Sequence, residues 1–119
     1  MTEFALALPI LALLLFSIIQ FGITFNNYVT LTDATRAGAR KAVVSRRLSD
    51  PVGATTTAVV NAAVDLKGFN SSNVSVKALG NWQPGTDVQV TATYPYSISL
   101  LGMVVKSGNL KSTTTERVE

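Results

Sequence analysis

The chain has 119 residues, 47% of them hydrophobic and 14% charged, with a formal net charge of +3. Cysteine and histidine are both absent, which excludes a disulfide framework, thiolate chemistry and the usual imidazole base or metal ligand. The seven acids are scattered from Glu3 to Glu119 and no glycine-rich phosphate loop is present. On that inventory no catalytic, cofactor or metal site is expected, and the chain does not read as an enzyme.

The first element is an almost unbroken apolar run from Phe4 to Phe25, preceded by one acid, Glu3. As a helix it would be roughly 33 Å long, enough to cross a hydrocarbon core of about 30 Å. A cleaved signal peptide fits less well: the run exceeds a normal h-region, lacks a basic n-region, and the Ala37-Gly38-Ala39 trio lies far beyond it. A buried core helix fits poorly too, because so short a chain encloses little surface. Helical pattern continues without a strong breaker to about Ser45, so one long helix with a greasy half and a wet half is expected. Pro9 and Gly22 are its weak points, and a kink or unwinding is expected near Leu6 to Pro9.

Ala34, Gly38 and Ala42 fall four residues apart, a small-residue seam that lets a helix approach closely. Arg36, Arg40, Lys41, Arg46 and Arg47 cluster on the same distal part, either as a solvated face or as a surface for subunit pairing or an anionic partner. By the positive-inside tendency this cluster would hold the C-terminal domain in the cytoplasm. A short Lys/Arg-rich leader ahead of the apolar run would reverse that orientation.

Ser49-Asp50-Pro51 signals a helix start, and Lys67-Gly68 a stop, so a second helix is expected over 51–66 with Val52, Val59, Val60, Ala63 and Val64 as its apolar face. Asn73 to Leu79 and Asp87 to Tyr94 alternate apolar and polar residues, predicting an antiparallel hairpin closed by a turn-rich link carrying Trp82. Trp82 is expected to pack over that hairpin. Pro95 would end the second strand, Leu100 to Val105 would be an apolar connection around Gly102, and Asn109 to Val118 a third, Thr-rich strand.

The expected architecture is therefore α+β: residues 1–47 as a transmembrane or filament-core helix and stalk, and residues 48–119 as a small head of one helix on about three antiparallel strands. Asn70 and Asn73 each begin a glycosylation sequon, though ordinary surface roles are the commoner reading. The basic residues lie on a membrane-continuous helix without interleaved aromatics, so nucleic acid is not an expected partner. Glu3 has the sharpest functional reading. A carboxylate at the edge of an apolar helix is costly without a partner, and the free N-terminal ammonium of an adjacent subunit would neutralise it and set the axial register. Its plainer role is to complement the positive N-terminal end of its own helix.

Thr2-Glu3-Phe4-Ala5-Leu6-Ala7-Leu8-Pro9, the later Ala34-Thr35-Arg36-Ala37-Gly38-Ala39-Arg40, Tyr94-Pro95-Tyr96 and the terminal Glu116-Arg117-Val118-Glu119 together resemble the TadE-like pilins and pseudopilins of the type IV pilus superfamily, associated with tight-adherence (Tad/Flp) systems. The resemblance implies a basic leader cut by a prepilin peptidase, residence in the cytoplasmic (inner) membrane as a precursor, and extraction by an ATP-driven pilus assembly machine. It further implies a surface pilus built as a helical homopolymer, with or without a second pilin, in which the acid matching Glu3 is the assembly residue. The family's acid lies about five residues from the cut, which implies a mature start two residues upstream, and the C-terminal disulfide loop of many type IV pilins is absent. A minor pseudopilin that primes or tips a pilus, or a single-span anchored binding module, is the alternative.

Overall fold

Six elements follow one another in the computed structural model, which describes residues 1–100 and 103–118. They are helix α1 (Thr2–Val43), helix α2 (Pro51–Ala62), a single 3-10 turn (Ser71–Asn73), and strands β1 (Val74–Ala78), β2 (Asp87–Leu100) and β3 (Met103–Arg117). The strands form one antiparallel sheet in the order β1-β2-β3. The architecture is α+β, with a long first helix, a shorter second helix and a three-stranded sheet, as the sequence indicates.

Helix α1 is 42 residues long and dictates the shape, whose principal extents are 71 × 22 × 18 Å. The expected unwinding near Pro9 is not seen: the helix is continuous through Pro9 and Gly22. The proline ring removes only the bond its own N–H would have made to Ala5, and the flanking turns keep theirs. Packing begins at Leu31. From there Leu31, Ala34, Thr35, Gly38, Ala39 and Ala42 are buried, repeating at three and four residues as one face of a helix must. Ser45 closes the row, its hydroxyl donating to the Lys41 carbonyl.

Helix α2 starts as predicted, with the Asp50 carboxylate accepting from the Gly53 N–H at 3.0 Å and Pro51 at the first helical position. Its end and its inner face differ from expectation. The helix stops at Ala62, four residues early, and the chain continues in tight turns, Leu66 N–H donating to the Ala63 carbonyl and Phe69 N–H to that of Leu66. A three-residue period stacks side chains on one side, so Ala63 and Leu66 enter the core and Phe69 packs against it. The buried residues of α2 are Thr55 and Val59, followed just past its end by Ala63, whereas Val52 and Val64 point outward, Val64 being 80% exposed. Thr55 was not expected inside; its hydroxyl lacks a hydrogen-bond partner among the described residues.

The core is small: Leu31, Ala39 and Ala42 from α1 meet Val59 and Leu66, the β2 residues Val88, Val90 and Ala92, and Val118. Trp82 packs half-buried against it. Its backbone has φ of 66° beside Asn81 at 57°, a left-handed conformation that asparagine accepts readily and tryptophan does not. Packing of the indole offsets that strain.

The two long strands correct the sequence reading. β2 runs through Pro95 to Leu100, and β3 begins at Met103 rather than Asn109; the centre of the expected connection, Leu101 and Gly102, and the terminal Glu119 lie outside the described residues. Pro95 fails to end β2 for a geometric reason. The Asp87 carbonyl accepts from Leu79 in the β1 direction and the Thr86 carbonyl accepts from Val118 in the β3 direction. Odd residues of β2 therefore turn their backbone groups toward β1. β1 pairs only as far as Ala92, so at position 95 no strand pairs on that side among the described residues and the missing N–H interrupts no ladder bond.

Candidate assembly interface

Every Phe, Leu and Ile from Phe4 to Phe25 is exposed, from 37% at Leu13 to 69% at Leu6. The most apolar stretch of α1 has a mean hydropathy of 2.5 and none of it is buried within the chain, and the helix is long and apolar enough to cross a membrane. Fully burying one such side chain is worth about 1.5–3 kcal/mol, so this surface requires either lipid or other protein around it. Ser17 within it donates to the Leu13 carbonyl at 2.8 Å and Thr30 just beyond it to the Asn26 carbonyl at 3.0 Å, which lowers the polar cost of placing these two hydroxyls in an apolar environment.

Glu3 lies exposed in the first turn of α1, beside the helix N-terminus where a carboxylate is favoured. No ion pair involves it among the described residues. Pro9 and Gly22 sit within the exposed half, and a Cβ added at Gly22 would meet open space. Ala34, Gly38 and Ala42 all lie on the buried face of the other half. What approaches Gly38 is α2 of the same chain: an added Cβ there would overlap Val59 Cγ2 and stand 3.4 Å from Val90 Cγ1.

Behind that seam lies a polar cluster that pattern reading missed. The Thr35 hydroxyl donates to the Thr32 carbonyl at 2.8 Å and lies 2.9 Å from Thr114 Oγ1 and 3.5 Å from Ser112 Oγ, while Ser112 donates to Thr32 Oγ1 at 3.1 Å. Thr35 is fully buried and Ser112 nearly so. These hydroxyls fix the height at which β3 sits against α1. The available signal was the alternation of Ser112 and Thr114 on the inward side of a strand that looked merely polar.

Arg36, Arg40, Lys41, Arg46 and Arg47 are all exposed and make no ion pair among the described residues. A shallow groove lined by Phe25, Tyr28, Val29, Thr32, Asp33 and Arg36 marks where the apolar half gives way to this basic part. Asn70 and Asn73 cap the 3-10 turn reciprocally. The Asn70 carboxamide oxygen accepts from the Ser72 N–H at 2.9 Å, and that of Asn73 accepts from the Asn70 N–H at 3.2 Å. No cluster of three or more acidic, His or Cys side chains suited to a metal is found among the described residues.

Residues 1–40, about a third of the chain, match the family model described as TadE-like protein. Neither a curated protein nor a solved structure matches the chain. The matched segment ends within the face that packs on α2 and the sheet, so it takes in the exposed apolar half, Glu3 and most of the Ala34–Ala42 seam.

Proposed function

We propose that this chain, TadE-like over residues 1–40, is a structural pilin subunit that polymerises through its N-terminal helix into a Tad-type surface pilus. A TadE-like segment on an exposed apolar helix fits a membrane-anchored, Tad pilus-associated protein; the polymerising role is our reading. One observation carries it. The apolar half of α1 has no partner among the described residues, yet it is one unbroken helix with the segment locked into the folded head. A mere tether would need no such rigid continuity, whereas a polymer needs each head held at a fixed angle and height above the shared core.

In this reading the chain waits in the cytoplasmic membrane with Phe4–Phe25 in lipid, after a prepilin peptidase has removed a basic leader. The assembly machine then transfers it to a growing filament, where the apolar halves of neighbouring copies, with or without a second pilin, replace lipid. The transfer exchanges one apolar environment for another, so burial alone does not specify register. Glu3 does. Its carboxylate pairs with the N-terminal ammonium of the adjacent copy, and an uncompensated charge penalises every other axial offset. Catalysis, cofactors and nucleic acid have no part in this function.

The test is Glu3→Ala in cells that display the pilus. The variant is expected to accumulate in the membrane at wild-type level with filament yield reduced at least tenfold. Normal piliation in that strain refutes the register role.

A further inference from the structure

The Val118 N–H donates to the Thr86 carbonyl at 2.7 Å, so even-numbered β3 residues turn their backbone groups toward β2. From Ser107 to Arg117 the register runs without a shift. The N–H and C=O groups of Ser107, Asn109, Lys111, Thr113, Thr115 and Arg117 therefore face away from β2, and no backbone hydrogen bond reaches them among the described residues. No proline interrupts β3, and its register irregularity lies beyond this stretch, opposite Ile98 and Ser99. An edge left open over that length is a template for another strand. The opposite side of the sheet is treated differently. Where β2 continues past β1, Pro95 lacks the donor a pairing strand would need, while β1 turns the groups of Val76 and Ala78 outward, the Val74 N–H being taken by the Ser71 carbonyl.

Resting on the polymer reading above, we infer that the outer edge of β3 pairs with the outer edge of β1 in the next copy, continuing the sheet from subunit to subunit. Polarity selects this occupant. A strand of 14 or 15 residues is about 45 Å long, and in a body 22 × 18 Å across it must run largely along α1. Antiparallel pairing of β3 with its own copy would need a two-fold axis that points the two α1 helices in opposite directions, which a polar filament and a shared membrane both forbid. β1 and β3 are each antiparallel to β2, so they run the same way. Head-to-tail repetition brings them side by side in parallel with every α1 aligned, the open type of contact that builds filaments.

Residue-resolved amide exchange on the full chain, inserted in vesicles and then assembled in filaments, tests the inference. Lys111, Thr113 and Thr115 in β3, with Val76 and Ala78 in β1, are expected to slow at least tenfold on assembly. Ser112 and Thr114, already bonded to β2, are expected to stay slow in both states. Lys111→Pro, which removes only an outward donor, is expected to cut filament yield while leaving the thermal midpoint of the head within a few degrees of wild type. Filaments whose odd β3 amides exchange as fast as in the vesicle form overturn the inference and leave the subunit reading standing, as does protection of β3 without β1. Failure of the unmodified chain to enter filaments overturns both.

Discussion

Residues 2–30 and 31–43 of α1 lie on one helix and are built for opposite surroundings. The first stretch is crowded with Leu, Ile and Phe, none of them covered. The second buries mostly Ala, Gly and Thr, and these carry the packing of the head. The difference teaches that side-chain size here tracks the kind of neighbour rather than the amount of burial. Large side chains suit a partner whose surface is adaptable, lipid or a bundle of like helices. Small ones suit a fixed partner that must come close, as Val59 does over Gly38.

Equivalent changes in the two stretches should therefore part company. The largest effect is expected from Gly38→Leu, which drives a side chain into Val59 and Val90; overpacking at such a contact costs about 3 kcal/mol, read as a lowered denaturation midpoint of the head. Thr35→Val comes next. It keeps the volume but takes the Thr35 partner from the half-buried Thr114 hydroxyl, while Ser112 keeps its bond to Thr32, at a cost of about 1 kcal/mol, with no change in membrane insertion. Gly22→Ala is expected to do least. It adds a methyl to open space and firms the helix by about 1 kcal/mol or less, leaving the head's midpoint where it was. A large loss at Gly22, or none at Gly38, would break the contrast between the two stretches.

Much of this was legible because it rests on local periodicity. The apolar run, the α1 end within two residues of Ser45, the Asp50-Pro51 start and the alternation in β1 and β2 all follow from one-dimensional patterns. The extent of β2 and β3 was not legible. Proline reads as a strand stop until one knows that β1 has already ended on the side Pro95 faces, a fact about a third segment. The inner face of α2 was misjudged for a related reason. Val52 and Val64 are as apolar as Val59, but only Thr55, Val59 and Ala63 lie on the side that meets Gly38 and the sheet. The Thr32, Thr35, Ser112 and Thr114 cluster joins residues nearly 80 positions apart, and polarity alone argued against burying them. For the interface itself, sequence indicated that the apolar half needs a partner. The fold adds that none of the described residues covers it.

The most direct test of this account is mass spectrometry of filaments sheared from the cell surface. It predicts this chain as a stoichiometric filament component, with the apolar half intact and a processed N-terminus a few residues before Phe4. Filaments that lack the chain, with every copy recovered singly in the membrane fraction, would contradict it.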